Sequence, residues 1–146
     1  EALAEHGLAV PPECYAEGRW TIGEGRALFA RIAAAPAPPT ALICGNAWLA
    51  VGAMLESQAR GIAVPGEMSI AGYDDIEVMA ELTVPITTIR VDGAQVGRLA
   101  ARHLAAKLRG EAPPDSGECA AEMILRASCG PAPDGRGGED GAASQI

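Results

Sequence analysis

The sequence predicts an α/β fold built on a parallel β-sheet, and three observations carry that expectation. Short apolar runs alternate with amphipathic helical stretches, the pattern of strands joined by crossover helices. Residues 41–44, Ala-Leu-Ile-Cys, are apolar without interruption, as expected of a central parallel strand covered by helices on both faces. Two apolar runs also end abruptly in polar turns, residues 40–45 at Asn46 and residues 68–73 at Asp74 and Asp75. In open α/β sheets the positions just past the carboxyl ends of strands line the ligand crevice, so a small-molecule site is expected there.

Residues 1–7 read as a helix end closed by Gly7, and Pro11-Pro12 leads into a short extended run over residues 14–17. Thr21 and Glu24 have capping-box spacing, which predicts a helix whose face carries Ala27, Leu28, Ile32 and Ala35 and which Pro36, Pro38 and Pro39 end. After the strand at 41–44, Asn46 can cap a helix with Leu49, Ala50, Ala53 and Met54 on one side and Gly61 as its stop. Residues 62–66 form the return turn into a strand at 68–71. A single helical turn is expected after Asp75, then an irregular segment at 82–85 and a strand at 87–91. Asp92 and Gln95 repeat the capping pattern before a long helix to Arg109, striped by Val96, Leu99, Ala100, His103, Leu104 and Leu108 and closed by Gly110. Residues 112–117 read as a loop and 121–127 as a last, edge strand. From 130 to 146 Gly, Pro, Asp and Ser dominate, which predicts a disordered tail.

The chain has 146 residues, 49% of them hydrophobic, enough for one modest packed domain. Residue 1 is Glu and lies within a helical pattern, so further upstream sequence is expected. The formal charge of −8, with 11 Lys and Arg, leaves no basic stripe to neutralise phosphates and argues against direct nucleic-acid binding by these residues. No run is long and apolar enough to span a membrane. Cys14, Cys44, Cys119 and Cys129 form no C-x-x-C pair, and His6 and His103 are the only imidazoles, so reduced thiols are expected, and neither a metal nor a cofactor.

Asn46 can serve as an N-cap alone, or can also present its two N–H donors to a ligand hydroxyl. Asp74 and Asp75 suit a turn as well as a site, and adjacent carboxylates on extended backbone point to opposite sides, which disfavours a catalytic pair. Trp20 and Trp48 stand out among five aromatic residues. Both fall beside element boundaries, where an aromatic plate could stack on a sugar ring, although a core role is the ordinary one for Trp. No G-x-S-x-G, G-x-G-x-x-G, Walker or H-E-x-x-H pattern is present, so no enzyme is expected. His103 lies on its helix's apolar stripe, where a satisfied or interface histidine is expected.

Residues 40–46 (Thr-Ala-Leu-Ile-Cys-Gly-Asn), 64–75 (Val-Pro-Gly-Glu-Met-Ser-Ile-Ala-Gly-Tyr-Asp-Asp), 85–90 (Pro-Ile-Thr-Thr-Ile-Arg) and 126–133 (Arg-Ala-Ser-Cys-Gly-Pro-Ala-Pro) together resemble the LacI/GalR transcriptional regulators. The resemblance implies a cytoplasmic, homodimeric regulator, here as a repressor, with a Rossmann-like α/β sensor of the periplasmic-binding-protein type I fold. Residues 1–129 would be an incomplete part of that sensor, with the 92–110 helix belonging to the other subdomain. DNA would be met only through a domain absent from this chain. Asn46 and Asp74 match positions that contact effector hydroxyls, and Trp20 falls where relatives place a stacking aromatic; the effector implied is a sugar or nucleoside. Two positions depart from the family pattern: Ala47 replaces an acidic residue and Val91 a Gln, each removing a polar group at or beside the cleft. The alternative is a periplasmic sugar-binding protein of a transport system, with a sugar-modifying enzyme a third reading.

Overall fold

The computed structural model describes residues 2–112 and 119–132. The chain runs through α1 (Ala2–Glu5), a 3-10 turn (Pro12–Cys14), α2 (Ile22–Ala33), β1 (Ala41–Ile43), α3 (Ala47–Arg60), β2 (Ser69–Tyr73), α4 (Val78–Glu81), β3 (Thr87–Val91), α5 (Gly93–Leu108) and β4 (Ala121–Ile124). The sheet order is β1-β2-β3-β4, with the first three strands parallel and β4 antiparallel at the edge. This is the expected α/β architecture. The tail beyond residue 132 and most of the 112–117 loop lie outside the described residues.

Local chemistry explains most boundaries. Thr21 accepts the Glu24 amide at 3.2 Å and starts α2, but the reciprocal half of the capping box is not made, because the Thr21 amide donates to the Arg19 carbonyl at 2.8 Å. Asn46 Oδ1 accepts the Leu49 amide at 2.8 Å and starts α3. Gly61, at φ 70, closes that helix in the left-handed conformation that costs a glycine nothing. Asp92 Oδ1 takes the amides of Ala94 and Gln95 and starts α5. The extended run expected at 14–17 is instead a 3-10 turn through Cys14, whose amide donates to the Pro11 carbonyl at 2.9 Å; chain extension begins at Tyr15. Consecutive prolines with fixed φ favour this tight turn.

The core lies on one face of the sheet. Phe29, Ala50, Val51, Met54, Ile70, Met79 and Ile86 are buried together between α2, α3, α4 and the strands. Gly25 and Gly52 let α2 and α3 meet backbone to backbone, since a Cβ on Gly25 would stand 2.5 Å from the Leu49 carbonyl oxygen and one on Gly52 would collide with the Ile22 carbonyl. Gly72 does the same for the sheet, as a Cβ there would sit 2.8 Å from Met79 Cε and 3.0 Å from Ala50 Cβ. Residues 41–44 depart from the expectation of a doubly covered central strand. β1 is an edge among the described residues, and Ile43 is 82% exposed. The register puts Tyr73, Ile89 and Met123 in one row on Ile43's side of the sheet, where Met123 is 65% exposed. The described helices that pack on the sheet cover only the opposite face, so the apolar character of β1 is not met by burial on both sides.

Candidate functional site

Register brings the two polar strand ends together. Ile43 pairs with Ala71, and the Cys44 amide donates to the Ala71 carbonyl at 2.8 Å. Asn46 lies three residues past Ile43, and Asp74 three residues past Ala71, so they leave the carboxyl ends of adjacent parallel strands at matching levels.

Asn46 is 3% exposed, and its amide is divided in function. The oxygen caps α3, while Nδ2 is buried without a hydrogen-bond partner among the described residues. A buried N–H without an acceptor costs on the order of 1–3 kcal/mol, which a ligand oxygen or a water would relieve. Asp74 is exposed and takes φ 65, the only non-glycine residue with positive φ among the described residues. Its main-chain carbonyl accepts the Thr88 hydroxyl at 2.9 Å, which folds the turn back over β3. A non-glycine residue held in the left-handed region is costly enough to point to a site.

Asp75 has the opposite environment. Arg126 donates from Nη1 and Nη2 to its two oxygens at 2.8 and 3.0 Å, and Arg90 donates from Nε and Nη2 to Oδ2 at 3.0 and 2.6 Å. The Arg126 hydrogen bonds, opposed by burial and reinforced by Arg90, hold the Asp75 carboxyl below the ordinary carboxylate range. The adjacent carboxylates are therefore separated by their partners rather than by extended backbone: one is consumed by two guanidiniums, and the other has no side-chain partner among the described residues. This network was not anticipated from sequence; the charged residues at 75, 90 and 126 are its only trace there.

Trp20, 72% exposed, precedes α2 and lines a crevice of about 510 Å³ with Ile43, Gly45 and Leu49, beside the end of β1. Trp48 is exposed on the first turn of α3, two residues after Asn46. Neither Asn46 nor Asp74 lines that crevice. Ala47 is 2% exposed and belongs to the apolar core, so its side chain fills space under α3 rather than facing a ligand. Val91 is half-buried at the end of β3. Of the two expectations for His103, a satisfied or an interface histidine, the first is not met, since Nε2 is buried with no partner among the described residues.

The thiol of Cys44 is buried and pushed up to about 12 by that burial, which makes it a poor nucleophile. Among the described residues no three His, Cys, Asp or Glu side chains are grouped to hold a metal ion, and no helix is long and apolar enough to cross a membrane.

Comparison with known proteins assigns this architecture. The periplasmic binding protein-like domain family matches residues 1–129. The HTH-type transcriptional repressor CytR of Escherichia coli (strain K12) is 32% identical over 76% of this chain and 33% of its own length. The HTH-type transcriptional regulator AglR of Rhizobium meliloti (strain 1021) is 35% identical over 91% of this chain and 38% of its own. Among solved structures, a sugar-binding transcriptional regulator of the LacI family from Escherichia coli, complexed with phosphate, superposes with a TM-score of 0.79 at 28% identity, covering 90% of this chain and 47% of that one. The chain thus spans about a third of the length of these curated relatives and just under half of that solved chain. All three are transcriptional regulators by description, which favours a regulator over a transport protein. The chain belongs to the periplasmic binding protein-like domain family, in the branch represented by LacI-type transcriptional regulators.

Proposed function

We propose that this chain is the effector-binding and dimerisation segment of a cytoplasmic, homodimeric LacI-type repressor, and that its ligand is a sugar or a nucleoside. One observation carries this reading: Asn46 and Asp74 leave adjacent parallel strands in register, one with an unpaired buried N–H donor and the other with an unengaged carboxylate on a left-handed turn. A polyol satisfies both, since its hydroxyl oxygen accepts from Asn46 Nδ2 and another hydroxyl donates to Asp74. Trp20 and Trp48 are exposed plates beside the same strand end, suited to the apolar face of a ring.

The role is binding rather than catalysis. A ligand that prefers one arrangement of the sensor over another shifts the regulator between DNA-binding states, with DNA met through a domain outside this chain. The test is calorimetric titration of sugars and nucleosides into the full-length regulator, repeated with Asp74→Ala. Loss of affinity of about tenfold or more is expected for one charge-assisted hydrogen bond. Equal affinity in the variant would overturn the assignment.

A further inference from the structure

The buried Asp75–Arg126 pair lies directly beside Asp74 in sequence, yet its groups are fully used within the protein. Both Asp75 oxygens accept from Arg126, and Oδ2 also accepts twice from Arg90. The carboxylate side chain is 6% exposed and that of Arg126 14%. Asp75 therefore has little capacity left for a ligand.

Arg126 is itself anchored from several directions. Its Nη1 donates to the Ile86 carbonyl at 2.9 Å, its main-chain amide donates to Thr87 Oγ1 at 3.0 Å, and its carbonyl accepts from the same hydroxyl at 3.2 Å. Two residues on, buried Ser128 accepts the Thr87 amide at 2.8 Å and donates to the Ile70 carbonyl, while the Ile70 amide donates to the Ser128 carbonyl at 2.9 Å. The segment carrying Arg126 is thereby stitched to both β2 and β3. The guanidinium is a fixed post, and Asp75 ties the turn after β2 to it.

We propose that Asp75 and Arg126 are positioning residues for the effector site: they hold the turn that keeps Asp74 in its left-handed conformation without touching the ligand. The proposal rests on the reading of Asp74 as an effector contact. A bidentate carboxylate–guanidinium pair fixes direction as well as distance, which a single lysine ammonium cannot do. With Arg126 lost, the turn would keep only the half-exposed Arg90 on Asp75 and the Thr88 hydroxyl on the Asp74 carbonyl.

The experiment has two arms. Amide hydrogen exchange on the full-length regulator compares wild type with Arg126→Lys in the absence of ligand. Exchange at the Met79 and Ala80 amides, which donate to the Ile76 and Glu77 carbonyls of this turn, is expected to rise about tenfold or more beyond any rise in α2 and α3. The full-length regulator is then titrated with D-ribose, D-glucose and adenosine. Any of these that binds wild type is expected to bind Arg126→Lys about tenfold or more weakly when titrated well below that variant's own melting temperature. Wild-type exchange at the Met79 and Ala80 amides, or a rise matched in α3, would overturn the proposal, because the pair would then serve overall stability alone. Should Arg126→Lys fail to fold, Asp75→Asn, which keeps the side chain's shape and one acceptor oxygen, is read in the same way. If none of the three probes binds wild type, the effector reading loses its support, while the exchange arm still decides whether the pair holds the turn.

Discussion

Asp74 and Asp75 are the same residue type in adjacent positions, and their surroundings give them different work. Asp74 stands exposed on a left-handed turn, whereas Asp75 is buried between two guanidiniums. The lowered pKa of Asp75 makes this division measurable. A carboxyl whose folded pKa is depressed contributes stability that is present above its unfolded pKa, about 3.9 for Asp, and is lost as pH falls through the folded value. Urea denaturation should therefore show stability falling below about pH 4, with Asp75→Asn weakening that dependence. At neutral pH the same variant should cost about 1 kcal/mol, since the network is only part-buried and Arg90 is half exposed. An unaltered denaturation midpoint at pH 7 would contradict the pairing. The family resemblance singled out Asp74, but the residues themselves could not show what occupies Asp75, because Arg126 lies 51 residues away and only the fold brings it near.

At the scale of elements, caps and stops were legible from local chemistry. Thr21, Asn46 and Asp92 each accept an amide at the start of a helix, and Gly61 and Gly110 close helices at positive φ. The strand at 87–91 falls where its β-branched run placed it. Residues 41–44 were misread because continuous apolarity reports burial in a complete sheet, and among the described residues β1 has a neighbour on one side only. The α2–α3 contact was invisible for a related reason: Gly25 and Gly52 look like flexible residues until the opposing backbone is seen. Gly52→Ala should destabilise the protein by about 2 kcal/mol or more, the ordinary cost of overpacking a close contact. A thermal melt identical to wild type would refute that packing role.

For the molecule as a whole, the sheet has one finished face and one unfinished face. Ile43, Tyr73 and Met123 are exposed on a common side, and α5 carries exposed Val96, Leu104 and Leu108 with Ala106 as its buried residue. Exposed apolar surface of this kind favours association or dye binding. The isolated chain should therefore bind ANS and self-associate in sedimentation experiments, and a monomer with sharp two-state unfolding and no ANS signal would show that the face is protected. This incompleteness also fits a chain that spans just under half of the solved regulator it resembles. The order of elements and the strand-end motifs were readable in sequence because they are local; which face stays open was not, because it depends on what packs across the sheet.

The central claim is that Asn46 and Asp74 form one wall of an effector site, and Asn46→Ser isolates it. Serine also caps helices, so α3 should keep its stability to within about 0.5 kcal/mol, while the two amide donors are lost. Calorimetric titration of the full-length regulator with a sugar or nucleoside that binds wild type should show affinity reduced about tenfold or more with the melting temperature preserved. Unchanged affinity in a folded Asn46→Ser protein would contradict the account.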